Sequence, residues 1–129
     1  MLDHIGITVS DVKRSKAFYA LALKPLGIAV QLLPTPEMMQ AGHEGYGFGE
    51  EGKPYFWFGS GGPGSSPIHI AFAAGTRSDV DAFHQAAIAA GGRDNGAPGV
   101  REHYHPSYYG AFVLDPDGNN IEAVCHRPE

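Results

Sequence analysis

An internal repeat is the feature of this 129-residue sequence that most constrains its fold. The start, DHIGITVSDVKRSKAFY, resembles IHIAFAAGTRSDVDAFH, which begins at Ile68. Three pairs of landmarks share one offset of 65 positions: His4 and His69, Phe18 and Phe83, and Gly27 and Gly92. Because a fixed offset marks a repeated supersecondary unit, we predict one domain of two modules, about 1–62 and 63–129, joined by the segment GSGGPGSSP.

Both modules carry predicted elements of one α+β type. In the first we predict a strand at 3–9, a helix from Ser10 or Asp11 to about Leu23, and strands near 28–33, 44–49 and 54–58. In the second we predict a strand at 68–73, a helix capped by Ser78 with Asp81 and ended by Gly91-Gly92, and strands near 108–114 and 119–125. Each module therefore follows the pattern strand–helix–strand–strand–strand.

Three polar residues fall on predicted strands that are otherwise apolar or small. Successive strand residues point to opposite faces, so His4 and His69 each begin a row of small side chains. Glu122 lies in the middle of the last strand, where a buried carboxylate is costly unless something pairs with it. The repeat offset makes Trp57 of the first module the equivalent of Glu122. We expect the two histidines and the carboxylate to look into one shared cavity.

Two imidazoles and one carboxylate form a ligand set that suits Fe, Mn, Ni or Zn, and leaves open positions for water and substrate. A divalent ion would also neutralise Glu122. The alternative is that each histidine is a hydrogen-bonded polar residue at a strand start and that Glu122 faces water at a sheet edge. The spacing of the residues leaves both interpretations open.

Composition limits the class of protein. The chain is 43% hydrophobic and 18% charged, as in ordinary globular proteins. The net charge of −5 disfavours a nucleic-acid partner. The apolar stretches are shorter than a membrane span, and no signal-peptide pattern is present. The single cysteine, Cys125, excludes an internal disulfide and favours a cytoplasmic location.

The motifs DHIGITVSDVKRSKAFY, HIAFAA and FVLDPDGNNIEAV resemble those of the vicinal oxygen chelate superfamily, and the resemblance covers nearly the whole chain. This superfamily includes glyoxalase I, extradiol dioxygenases, methylmalonyl-CoA epimerase, and fosfomycin- and bleomycin-resistance proteins. The resemblance implies two βαβββ modules that form a cup-shaped mixed sheet. It also implies that His4, His69 and Glu122 are the metal ligands. The fourth ligand position falls on Trp57, which cannot bind a metal, so glyoxalase I activity is not expected.

A polar loop and an aromatic wall complete the expected site. The loop REHYHPSYYG, residues 101–110, offers Arg101 for an anionic group and His105 or Tyr109 for proton transfer, with His103 and Tyr108 as further candidates. The alternative is an exposed loop whose aromatic residues pack on the rim of the sheet. We expect a substrate pocket walled by Trp57, Tyr55 and Phe48. The remaining histidines, His43, His84 and His126, are expected at the surface.

Two functions compete at this point. The first is a metal-dependent enzyme acting on a small oxygen-bearing molecule, as a lyase, isomerase, thiol transferase or ring-cleaving dioxygenase. The second is a metal-free protein that binds and sequesters a small molecule, like the bleomycin-resistance proteins. A structural metal site is a third possibility. We also expect a homodimer, with modules paired within one chain or exchanged between chains.

Overall fold

The computed structural model describes residues 1–40, 42, 44–60 and 67–128. The first half contains β1 (Ile5–Thr8), α1 (Val12–Ala22), a 3-10 turn (Lys24–Leu26), β2 (Ala29–Leu32), α2 (Pro36–Gln40), β3 (Gly45–Glu50) and β4 (Lys53–Gly59). The second half contains β5 (His69–Ala73), α3 (Arg77–Ala89), β6 (Arg93–Val100), β7 (Tyr109–Leu114) and β8 (Asn120–Cys125). Within these ranges no helix is long and apolar enough to cross a membrane.

The strands form two four-stranded sheets with one topology. Their orders are β1-β4-β3-β2 and β5-β8-β7-β6. In each sheet the first and last strands of the module pair in parallel, and the other neighbours are antiparallel. The predicted α+β class with two βαβββ modules is therefore confirmed. Most of the predicted linker, residues 61–66, and the predicted module boundary lie outside the described residues.

The pairing register supports the repeat residue by residue. Gly6 of β1 pairs with Trp57 of β4, and Ala71 of β5 pairs with Glu122 of β8. Gly6 and Ala71 are 65 positions apart in the sequence, and so are Trp57 and Glu122. Trp57 and Glu122 therefore occupy equivalent places in the two sheets, as the sequence predicts.

The second module differs from the prediction in two places. Helix α3 is capped by Thr76, whose hydroxyl accepts a 3.0 Å hydrogen bond from the backbone N–H of Asp79, so the predicted cap at Ser78 is wrong by two residues. Strand β6 was not assigned a range from the sequence, because RDNGAPGV is rich in residues that strands usually avoid. Its pairing with β7 shifts register twice, which accommodates Gly96 and Pro98.

The helices cover one face of the sheets and bury an aromatic core. Tyr19 of α1 lies edge-on to Phe18 and to Phe56, with ring centroids 5.0 and 4.9 Å apart. Phe56 of the first sheet lies edge-on to Phe72 of the second, at 5.4 Å. All four side chains are buried. The two modules thus share one hydrophobic core.

The repeated glycines have different structural reasons. Gly27 has a φ of +77°, which other residues rarely adopt, and nothing stands near the position of a Cβ. A Cβ at Gly92 would lie 2.5 Å from Val113 Cγ1 and 2.8 Å from Phe18 Cε1. Gly92 is therefore needed for the close approach of α1 from the first module to the second.

A buried carboxylate in the turn DPDGN joins the two modules. Asp115 is 5% exposed, and its side chain accepts hydrogen bonds from the Tyr19 hydroxyl of α1, from the backbone N–H groups of Asp117 and Asn119, and from the Asn119 amide. The Asn119 side chain in turn accepts a 3.0 Å bond from the backbone N–H of Ile68, just before β5. Burial and the neighbouring Asp115 carboxylate both raise the pKa of Tyr19.

A second link supports the first. The Asp117 carboxylate of the same turn accepts a 3.1 Å hydrogen bond from the backbone N–H of Ser10, just before α1. The DPDGN turn therefore fixes the start of β8, the start of β5 and the start of α1 relative to one another.

We expect Tyr19→Phe to destabilise the fold by about 1–3 kcal/mol, because it leaves a buried carboxylate oxygen with one donor fewer. Urea denaturation followed by circular dichroism measures the change in the free energy of unfolding. Tyr104→Phe is the matched control, since Tyr104 is 60% exposed. Equal stability of the Tyr19→Phe protein and the wild type would contradict the proposed link.

Candidate functional site

Glu122 is the most deeply buried charged residue of the candidate site, at 1% exposure. Its Oε1 atom lies 2.8 Å from Nε2 of His69, and its Oε2 atom accepts a hydrogen bond from the Tyr108 hydroxyl. Both carboxylate oxygens therefore have a partner from a neighbouring strand or loop. These two groups of the same chain offset the free-energy cost of burying the Glu122 carboxylate.

The sheet explains why these three side chains meet. Strand β5 runs parallel to β8, with Ala71 beside Glu122, so His69 projects from the edge strand toward the carboxylate. Gly110 of β7 lies next to them. A Cβ there would be 3.2 Å from Glu122 Oε2 and 3.2 Å from Tyr108 Cε1. The missing side chain of Gly110 leaves room for the Tyr108–Glu122 hydrogen bond.

An aromatic ring and a cation lie beside this group. Phe112 of β7 pairs directly with Glu122 of β8, and its ring centroid lies 6.1 Å from that of His69. The guanidinium carbon of Arg101 lies 5.5 Å from the Phe112 ring centroid. Arg101, at the start of the 101–110 loop, therefore lies beside the same aromatic ring as His69.

His4 has other partners in the structure. Its Nδ1 atom lies 2.7 Å from Asp3 Oδ1, its ring centroid lies 6.3 Å from that of Trp57, and its side chain is 60% exposed. His4 and His69 do line one cleft of about 440 Å³ between the modules. Among the residues that the structure describes, no three His, Cys, Asp or Glu side chains are grouped to hold a metal ion. The structure thus brings two of the three predicted ligands together.

Two of the three residues predicted to wall the pocket line a cavity, but not the same one. Tyr55 lines the cleft between the modules and donates a 2.6 Å hydrogen bond to Glu50, and its pKa is raised by burial and by that bond. Trp57 lines a separate groove of about 280 Å³ on the first sheet. The prediction for Phe48 is wrong. It is fully buried in the core, because alternation along β3 points it away from the glycine face.

The loop before β7 places Tyr108, rather than Tyr109, beside Glu122. The Tyr109 hydroxyl donates a 2.6 Å hydrogen bond to Asp81 of α3, and Arg77 lies 5.0 Å from its ring centroid. That bond is the first cause of the raised pKa of Tyr109. Adjacent residues on a strand face opposite sides, so the helix-facing position of Tyr109 sends Tyr108 toward the site. Alternation counted back from Phe112, which pairs with Glu122, through Gly110 to Tyr108 is the signal that identifies Tyr108 once the pairing is known.

Of the histidines that the structure describes, only His69 is hydrogen-bonded to Glu122. His105 is exposed, and its Nδ1 accepts a 3.0 Å hydrogen bond from the backbone N–H of Ser107. His126 is exposed, with its ring 5.2 Å from that of Tyr108. His84 was expected at the surface, but its side chain is only 18% exposed and lies 3.0 Å from Asp94. His43 lies outside the described residues.

Comparison with known proteins agrees with this fold. The family model described as Glyoxalase/Bleomycin resistance protein/Dioxygenase superfamily matches residues 1–123. A glyoxalase/bleomycin resistance protein from Albidiferax ferrireducens T118 is 32% identical, with 99% of each chain covered and a TM-score of 0.73. No curated protein matches the chain at the significance that these structural matches reach.

More distant structures share the fold. A glyoxylase/bleomycin resistance protein/dioxygenase domain from Frankia sp. EAN1pec is 16% identical, with a TM-score of 0.73 over 98% of this chain and 92% of that one. A glyoxalase I mutant from Zea mays is 18% identical, with a TM-score of 0.72; the match covers 99% of this chain and 45% of that one. Since the family model covers almost the full length, the chain belongs to the glyoxalase/bleomycin resistance protein/dioxygenase superfamily.

Proposed function

We propose that this protein is a divalent-metal-dependent enzyme that acts on a small oxygen-bearing substrate at the face of the second sheet that carries Glu122. The observation that carries the proposal is the buried Glu122 carboxylate, held between His69 and Tyr108. A buried carboxylate beside an imidazole and a phenol combines a metal ligand pair with a hydrogen-bond donor. Such polar groups converging on one point of a concave face are typical of active sites.

The residues present fit a divalent ion at two of three positions. His69 Nε2 and Glu122 Oε1 are 2.8 Å apart, a hydrogen-bond distance, so a small separation of the two atoms would let both bind one ion. We propose His4 as the third ligand, because it lines the same cleft as His69. It would come from the same chain or, in a homodimer with exchanged modules, from the partner. A bound Fe, Mn, Ni or Zn ion would stabilise negative charge that develops on a substrate oxygen.

Tyr108 would supply a hydrogen bond to the substrate. Burial, together with its hydrogen bond to Glu122 and the charge of that carboxylate, raises the pKa of Tyr108. The phenol therefore keeps its proton well above neutral pH, and it would act by hydrogen bonding to negative charge on the substrate rather than as a base. His69 and Tyr108 also hold Glu122 in one orientation, which reduces the reorganisation needed when substrate binds. Lyase, isomerase, thiol transferase and dioxygenase reactions all remain within this proposal.

A metal-free binding protein is the second candidate. The observation that favours it is again at Glu122, because the hydrogen bonds from His69 and Tyr108 satisfy the carboxylate without an ion. The glycines of β3 and the Trp57 ring also leave an open aromatic surface on the first sheet. Such a surface suits stacking of a planar molecule.

Metal binding separates the two candidates. We expect wild-type protein, stripped with chelator and dialysed against Mn, Ni, Zn or anaerobic Fe(II), to retain one ion per site, measured by plasma mass spectrometry. His69→Ala and Glu122→Gln should each lower the metal affinity about tenfold or more, because each removes a ligand or its charge. His4→Ala tests the third position in the same way.

The control for this experiment is His103→Ala, which removes an exposed imidazole of the 101–110 loop. It should bind metal as the wild type does. If the wild type retains no ion, or if the ligand variants bind as well as His103→Ala, the metal-dependent function is wrong and the binding protein is favoured.

The pKa of Tyr108 gives a second prediction. Glu122→Gln removes the negative charge beside the phenol, so we expect the pKa of Tyr108 to fall while burial keeps part of its elevation. In the wild type, the stabilisation from neutral Tyr108 is complete below about pH 10 and declines as the pH rises further. Titration of protein labelled with 13C at tyrosine Cζ measures the pKa by NMR.

Asp81→Asn is the matched control, because Asp81 contacts Tyr109 on the opposite face. It should leave the titration of Tyr108 unchanged, and Tyr108→Phe identifies the signal. An unchanged Tyr108 titration in Glu122→Gln would show that the two groups do not interact in solution.

A further inference from the structure

We propose that the substrate of this site carries a carboxylate group, and that Arg101 binds that carboxylate across the Phe112 ring from Glu122. The proposal rests on the proposed function in one respect, since it takes the Glu122 face of the second sheet as the substrate site. It adds the chemical class of the substrate and the residue that selects it.

The protein builds a defined seat for the Arg101 guanidinium. A Cβ at Gly96 would lie 3.2 Å from Arg101 Nη2 and 2.8 Å from Phe112 Cδ1, and one at Gly99 would lie 3.0 Å from Arg101 Nη1. The guanidinium therefore occupies the space that two glycines of β6 leave open beside the Phe112 ring.

Two hydrogen bonds fix the position of Arg101. Its Nη2 atom donates a 2.7 Å bond to the backbone oxygen of Ala97, and its backbone N–H donates a 2.7 Å bond to the oxygen of Tyr108. The second bond closes the loop between the two residues. It ties the cation to the same tyrosine that donates its hydroxyl to Glu122. A guanidinium held in advance loses less entropy when it binds an anion.

The guanidinium has no carboxylate partner in the described parts of the chain. The ion pairs there involve other residues, namely His4 with Asp3, Lys53 with Asp3, His69 with Glu122, and His84 with Asp94. The guanidinium group has five N–H donors in a planar fork, of which the Ala97 bond uses one. A half-buried cation with free donors beside an aromatic ring matches the planar oxygens of a carboxylate.

Sheet order sets where the rest of the substrate would lie. Strand β7 lies between β6 and β8, with Gly96 opposite Phe112 and Phe112 opposite Glu122. A substrate whose carboxylate meets Arg101 would therefore pass over Phe112, with its reacting oxygen toward Glu122, His69 and Tyr108. The Phe112 ring suits an apolar or planar group between the two ends.

The charge balance favours a monoanion. Arg101 is a single cation, Glu122 is a nearby anion, and the whole chain has a net charge of −5. In the protein without a bound ion, a dianionic phosphate or phosphonate would place two negative charges near Glu122, and Arg101 would offset only one of them. One guanidinium matches one carboxylate.

Binding of mandelate tests the proposal, because this probe combines a carboxylate, a hydroxyl oxygen and a planar ring. Its neutral amide, mandelamide, and the dianion benzylphosphonate are the comparison ligands, and calorimetry on protein of measured metal content gives the affinities. We expect mandelate to bind wild type about tenfold more tightly than mandelamide, as a charge-assisted bidentate contact would give. Arg101→Gln should remove that preference without changing mandelamide binding.

Two variants act as controls. Arg101→Lys keeps the charge without the planar fork and should retain part of the preference. Arg93→Gln removes an exposed cation at the start of strand β6, and this variant should bind all three ligands as the wild type does. Circular dichroism melting of each variant shows whether it is folded.

Three outcomes would overturn the proposal. These are a wild type that binds mandelate no better than mandelamide, an Arg101→Gln protein that keeps the preference, and a benzylphosphonate affinity above that of mandelate. Because mandelate can also chelate a metal ion, wild type and Arg101→Gln are compared at equal metal content, and the difference between them reports the Arg101 contact alone. A protein without metal that still prefers mandelate through Arg101 contradicts the metal-dependent function alone, and a metal-loaded protein without the preference contradicts the carboxylate proposal alone.

Discussion

The buried carboxylate of Asp115 holds the two modules in their relative positions. It accepts a hydrogen bond from the Tyr19 hydroxyl of the first module and another from the Asn119 side-chain amide. The Asn119 side-chain oxygen in turn accepts a hydrogen bond from the backbone N–H of Ile68, just before β5. The parallel alignment of β5 with β8, and with it the meeting of His69 and Glu122, begins at this point. The polar residues of the DPDGN turn therefore have a structural role, because their hydrogen bonds join the two modules.

The two modules keep one backbone plan but use it differently. The register places Trp57 and Glu122 at equivalent positions beside Gly6 and Ala71. In the second module the position is a buried carboxylate with two hydrogen-bond partners. In the first it is an indole whose Nε1 atom has no partner among the described residues. The second sheet thus carries the grouped polar side chains, and the first sheet carries an aromatic surface over a row of glycines.

The site depends on small residues as much as on reactive ones. Gly110 leaves space for the Tyr108–Glu122 bond, and Gly96 and Gly99 leave space for the Arg101 guanidinium. A side chain at any of these positions would meet a functional group at close range. The glycines of β6 and β7 therefore shape the polar face of the second sheet, although none of them takes part in chemistry.

The sequence by itself determined the repeat, the α+β class, the equivalence of Trp57 and Glu122, and the presence of a polar group at Glu122. These follow from periodicity and from a fixed offset, which are local properties of the chain. Tertiary structure decided which side chains meet. At the start of β7, Tyr109 points to Asp81 and Tyr108, the residue before the strand, points to Glu122, while alternation within β3 places Phe48 in the core. The β-strand propensity of RDNGAPGV does not predict β6, which forms through its pairing with β7. The space that holds the Arg101 guanidinium forms with that strand.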